Sequence, residues 1–155
     1  MPLSHESDWS FAASNDASSE ACALAENWAR IAGLPEVLIL RLVLVIEELF
    51  TNTIKHGYCG ESNRPVRISL VRVDDMAHLD YRDQGPPFDP IHTTFPIPED
   101  LPPAEVGGMG LQLIQTLGCS ASYVYEVGWN IVRLDVSATQ TSARVEALIA
   151  RKGRK

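Results

Sequence analysis

The chain has no cysteine pair at metal-binding spacing. Its three cysteines, Cys22, Cys59 and Cys119, are isolated and odd in number, so neither a zinc site nor a disulfide framework is suggested and a reducing compartment fits best. A basic excess is missing too. Thirteen Lys and Arg stand against twenty Asp and Glu, for a formal net charge of -7, which argues against a partner met through clustered cations, such as direct nucleic acid. The one basic cluster, Arg151, Lys152, Arg154 and Lys155, reads as a solvated end. The sequence lacks a long apolar run: residues 37–46 are the greasiest, yet they are too few to cross a bilayer and include Arg41. MPLSHESDWSF does not look like a secretory leader, having no positive start before an apolar stretch. These absences lead to the expectation of a cytoplasmic protein with no membrane association.

What is present suits one domain. The 155 residues are 45% hydrophobic and 21% charged, enough to bury a core without staples. We expect a single domain over 1–155, with its core in 7–136 and a tail in 137–155 that includes a short helix carrying Val145, Leu148 and Ile149 on one side.

Alternation of Trp9 and Phe11 with polar neighbours suggests a first strand over 7–13. Ser14, Asn15 and Asp16 offer caps for a helix over 17–31 that Gly33 closes, and Pro35 suits the first turn of a second helix running to His56 and stopping at Gly57. Val66, Ile68 and Leu70, then Ala77, Leu79 and Tyr81, alternate with polar residues about an Asp74-Asp75 turn. Residues 85–110 are crowded with Pro and Gly, which forbids a long helix and suggests a lid or binding segment. A short helix from Leu111 to Leu117, a hairpin with strands over 121–127 and 130–136 joined at Gly128-Trp129, and the tail complete the order. Hairpins with helices gathered between them favour an α+β fold: a two-layer α/β sandwich, its mixed, mostly antiparallel sheet covered by helices on one face.

Three polar constellations interrupt this pattern. On the second helix Ile39, Leu42, Val43, Ile46, Leu49, Phe50 and Thr53 make a stripe for the sheet, and Glu48, Asn52 and Lys55 lie opposite. That opposite side is either a solvated face or a set of groups for a cation and phosphates. Glu48 and Asn52, four apart, project together, and Asn is a poor helix-interior residue. Asp83, in Asp83-Gln84-Gly85-Pro86-Pro87, falls in phase with Ala77, Leu79 and Tyr81 and should point to the apolar side. It either caps its own turn through the Gln84 or Gly85 amide or accepts from a polar ligand edge. Gly107, Gly108, Met109, Gly110 and Leu111 open a helix, as a flexible entry or as a backbone cradle for an anion.

In this order the three resemble the ATP site of the histidine-kinase-like ATPase (GHKL) superfamily: EELFTNTIKHG its N box, Asp83-Gln84-Gly85 its first Gly box, Gly108-Met109-Gly110-Leu111 its second. With EELFTNTIKHGY, DQGPPFDP, GGMGLQLI and GWNIVRL, the chain is most similar to the RsbW-type anti-sigma-factor serine/threonine kinases, over residues 7–136. The resemblance implies ATP and Mg²⁺ as cofactors. It implies Glu48 as the catalytic base, Asn52 as the metal ligand, and Lys55, Asp83, Gly85, Gly107, Gly108, Met109, Gly110 and Leu111 with Asn52 as ATP-binding residues, beneath a lid over 91–106. The implied partners are a sigma factor and an anti-anti-sigma antagonist protein that is phosphorylated on Ser or Thr, and the implied assembly is a homodimer. An alternative is a catalytically silent nucleotide-sensing module that regulates partner proteins. Two departures stand out: Pro87 replaces a glycine of the first Gly box, so that turn must be built differently, and Val106 stands where some relatives have an Arg.

Overall fold

The computed structural model describes residues 5–91 and 118–138. They form strands β1 (Glu6–Ala13), β2 (Ser62–Val73), β3 (Met76–Asp83), β4 (Gly118–Glu126) and β5 (Trp129–Val136), and helices α1 (Asn15–Ile31) and α2 (Glu36–Asn52). Ser14 starts α1 by accepting a 3.0 Å bond from the Ala17 amide, the usual remedy for unpaired amides in a first turn. Gly33 ends the connection in the left-handed conformation, φ 75°. Pro35 stands just outside α2 as its N-cap, one position earlier than the sequence suggested.

The second helix does reach Gly57, but as two structures. After Asn52 the coil widens into a π-helical turn over Thr53–Gly57, in which the Tyr58 amide bonds the Thr53 carbonyl at 2.7 Å. Such turns are uncommon and concentrate at functional sites.

The strands form one sheet in the order β1-β2-β3-β5-β4. Each of the four described pairings is antiparallel, so the described part of the sheet is wholly antiparallel where a mixed one was expected. Both described helices cover one face. Ile39, Leu42, Ile46, Leu49 and Phe50 of α2 are at most 3% exposed and meet Ile68, Leu70, Leu79 and Tyr81 from the sheet in one core. Phe50 stands edge-on to Phe11 and to Tyr81, with ring centroids 6.1 Å and 6.5 Å away, favoured geometry for aromatic pairs.

The opposite face of the sheet is charged. Arg67 lies over the Trp129 ring at 4.6 Å, while Asp80 accepts from Arg82 at 2.6 Å and from Arg133 at 3.0 Å. The β4–β5 turn is Val127-Gly128, with φ 51° and 81°, one residue before the expected joint. Arg41, read in the sequence as an interruption, is fully buried. Its guanidinium donates to the Ser137 carbonyl at 2.6 Å, tying α2 to the end of β5. The expected helices over 111–117 and 139–150 lie outside the described residues.

Candidate functional site

An open cavity lies where α2 passes into its π turn above the ends of β3 and β5. Asn52, Thr53 and Gly57 form one wall, Tyr81, Asp83, Asn130 and Val132 the floor, and Pro86, Phe88 and Pro90 the rim.

Asp83 organises the floor. As its phase in β3 predicts, it points to the helix-covered side. Its Oδ2 accepts from the Thr53 hydroxyl at 2.7 Å, and its Oδ1 from the Gly85 amide at 3.0 Å and the Asn130 side-chain amide at 2.9 Å. The turn-capping bond expected of such an Asp is therefore present, as one of three. Thr53 also lies 2.6 Å from the Tyr81 hydroxyl and 3.1 Å from the Leu49 carbonyl. A hydroxyl carries one proton and can accept another, so Tyr81 donates to Thr53, and Thr53 shares its own proton between Asp83 and Leu49. Burial pushes the Tyr81 hydroxyl far above its ordinary value, which keeps it a neutral donor. No cation pairs with Asp83 among the described residues.

The turn after Asp83 contains Pro86 and Pro87, and side chains hold its backbone. The Gln84 amide donates to the Tyr58 hydroxyl at 2.7 Å and the Gln84 carbonyl accepts from Arg64 at 2.6 Å. Asn130 Nδ2 donates to the carbonyls of Gly85 and Pro86, each at 3.0 Å. The Phe88 amide donates to Asn130 Oδ1 and to the Tyr123 hydroxyl, each at 3.0 Å, and Tyr123 closes the ring by donating to Asn130 Oδ1. Burial raises the hydroxyls of Tyr58 and Tyr123 as well, so both remain protonated. Pro supplies no amide, and this is how the turn is built without the glycine at position 87. Gly85 is required for a different reason: a Cβ there would lie 2.9 Å from the Gly57 Cα, backbone against backbone.

Of the residues singled out in the sequence, the structure brings Asn52 and Asp83 to one cavity, with Gly85 buried behind it. Asn52 Nδ2 is buried and meets no acceptor among the described residues, in contrast to the general rule for buried amides. Glu48, one turn earlier on α2, is half-buried, while Lys55 is exposed on the π turn and does not line the cavity. Gly107, Gly108, Met109, Gly110 and Leu111 lie outside the described residues, as do residues 92–106 of the expected lid. Sequence reasoning missed Asn130, Tyr58, Tyr81 and Tyr123, and assigned Thr53 only to the sheet-facing stripe. Asn130 carried a usable signal: it is in phase with Val132, Leu134 and Val136, a polar residue in a buried register, as Asp83 is.

A magnesium ion of the kind that keeps its waters takes few protein oxygens besides substrate phosphates, and on the cavity wall Asn52 is the residue that would supply one. Among the described residues no group of three His, Cys, Asp or Glu forms a metal cage, and Asn52 offers one amide whose two ends interchange by rotation.

An antiparallel sheet with helices on one face and an Asn-and-Asp cavity at one end defines a class. Residues 11–136 match the family described as histidine kinase-like ATPase domain, and the chain belongs to that family. Within it the similarity runs to the RsbW type. Serine-protein kinase RsbW of Listeria monocytogenes serotype 4a is 28% identical over 107 residues, covering 65% of this chain and 68% of the relative. Anti-sigma F factor of Geobacillus stearothermophilus is 35% identical over 72 residues, 46% of this chain and 49% of that protein. Among solved structures, the RsbU and RsbW domains of a Mycobacterium tuberculosis protein share the fold with a TM-score of 0.61 at 17% identity, over 85% of this chain and 32% of that one.

Proposed function

We propose that the cavity binds ATP with Mg²⁺ and that the protein transfers the terminal phosphoryl group to a Ser or Thr of an antagonist protein while also binding a sigma factor. The observation that carries this reading is Asp83: a carboxylate held by neutral donors at a cavity floor, with the buried amide of Asn52 on the adjoining wall. A carboxylate that meets only neutral donors among the described residues is an acceptor suited to the amino edge of adenine.

In this reading Asp83 binds the adenine and Asn52 holds the metal. Mg²⁺ would neutralise phosphate charge, the chief requirement of phosphoryl transfer together with positioning. Glu48, on the same side of α2 as Asn52, takes the proton from the acceptor hydroxyl. Lys55 and the glycines 107, 108 and 110 with Met109 and Leu111 meet the phosphates. The RsbW resemblance supports a cytoplasmic homodimer as the working form.

Purified protein mixed with labelled Mg·ATP and its antagonist is expected to label the antagonist. Glu48→Ala should abolish transfer and leave nucleotide binding, whereas Asn52→Ala should weaken binding itself. Nucleotide binding with no transfer by the wild type, and a Glu48→Ala variant indistinguishable from it, would instead establish a nucleotide-sensing module.

A further inference from the structure

Asn130 is 6% exposed and lies directly opposite Asp83 in the β3–β5 pairing. Its side chain is used completely. The two protons of Nδ2 are divided among three acceptors, Asp83 Oδ1 at 2.9 Å and the Gly85 and Pro86 carbonyls at 3.0 Å each, so one proton is shared. Oδ1 accepts from the Phe88 amide and the Tyr123 hydroxyl. An amide has two donor protons and two acceptor lone pairs, and here every one of them is directed at Asp83, at the turn that follows it, or at the tyrosine that braces the turn. Among the hydrogen bonds of the described residues, those of Asn130 reach both the carboxylate and both sides of the Pro86-Pro87 pair.

We propose that Asn130 is the positioning residue for base selection in this site. It sets the plane of the Asp83 carboxylate and the rim at Phe88 together, so that the oxygen left open to the cavity meets a ligand's exocyclic N–H and repels a keto oxygen in the same place. The inference rests on the ATP-site reading and adds what makes that site selective. Three protein donors already occupy Asp83, two on Oδ1 and one on Oδ2. A carboxylate has about four acceptor directions, which leaves about one for the ligand. Rotation of the carboxylate would exchange that free direction for one now used by Thr53 or Gly85. The Asn130 bond to Oδ1 opposes the rotation, and its bonds to the Gly85 and Pro86 carbonyls keep the rim from following. Selectivity then comes from a partly buried acceptor that a wrong base leaves unpaired, the kind of site in which discrimination is large.

The test compares ADP with IDP, which differ in having an amino group or a keto oxygen at the same ring position, in wild type, Asn130→Ala and Tyr123→Phe. Binding is measured by calorimetry and thermal unfolding is followed alongside. Wild type should prefer ADP. Asn130→Ala should lose affinity for ADP by roughly ten- to a hundred-fold and leave IDP almost unchanged, so the preference collapses. Tyr123→Phe keeps the ring and removes one bond from Asn130 Oδ1, and should lower the preference by a smaller factor in a protein that remains folded. A variant whose loss is equal for ADP and IDP shows Asn130 to be a general support of the cavity and overturns the proposal. Unchanged preference in a folded Tyr123→Phe together with unchanged preference in Asn130→Ala overturns it as well. A wild type that binds neither nucleotide removes the ATP-site reading itself, a result separate from either of these.

Discussion

β3 carries two aspartates three positions apart, on opposite faces of the sheet, and they are treated in opposite ways. Asp80 faces outward and is gripped by two guanidiniums, Arg82 and Arg133. Partial burial works against its charge, but the bonds from Arg82 and Arg133 prevail and hold the carboxyl below its usual value. Asp83 faces the helices and receives a hydroxyl, a backbone amide and a side-chain amide, all neutral. A carboxylate closed by cations has little left to offer, whereas one that meets only neutral donors among the described residues keeps acceptor capacity for whatever enters the cavity. Similar chemistry on one strand thus serves cohesion on one face and, under the proposed function, recognition on the other.

The comparison can be strained hardest at Gly85. Alanine there would set its Cβ 2.9 Å from the Gly57 Cα, and since neither backbone can yield without moving α2 or β3, Gly85→Ala should cost about 1–3 kcal/mol or more by urea unfolding. Next comes Thr53→Val, which keeps the volume and removes the hydroxyl between Tyr81 and Asp83. A buried hydroxyl and a partly buried carboxylate lose a partner, so a loss of about 1–3 kcal/mol is expected, and adding Tyr81→Phe should recover part of it. The smallest effect belongs to Asp80→Asn, under about 1 kcal/mol at neutral pH and smaller still in high salt, because the pair is half-exposed. The sign with pH follows from the lowered carboxyl: its stabilisation is present above the unfolded value of about 3.9 and is lost as pH falls through the lower folded value. Wild type and Asp80→Asn should therefore converge in acid unfolding below about pH 4. A cost at Asp80 larger than that at Thr53 would reverse the distinction drawn between the two faces.

Much of the fold was legible because local patterns were unambiguous. Alternation in 66–70 and 77–81 predicted two strands with one wet face, and phase alone placed Asp83 inward. The aliphatic stripe of α2 predicted which side meets the sheet, with Phe50 at its centre. What could not be read was whatever depends on partners distant in sequence. Arg41 looked like a break in an apolar run, and the proximity of Ser137, 96 residues away, gives its buried guanidinium a carbonyl. Pro87 announced an altered turn, but the means of holding it are spread over Tyr58, just after the π turn, and Arg64, Tyr123 and Asn130, on β2, β4 and β5. The widening at Thr53–Gly57 had no signature, since nothing in TIKHG distinguishes a π turn from ordinary helix.

Gly57 and Gly85 look interchangeable in sequence, each closing a motif, yet their contact is one-sided. A methyl group on Gly85 collides with backbone, whereas one on Gly57 finds ordinary contacts at 3.8 Å and 3.9 Å, to Thr53 and Asp83, in space that opens on the cavity. A library of variants screened only for folding should therefore retain alanine at 57 and discard it at 85. The same library screened for nucleotide capture should discard both. One glycine is kept by the architecture of the chain, the other, under the proposed function, by the nucleotide it leaves room for.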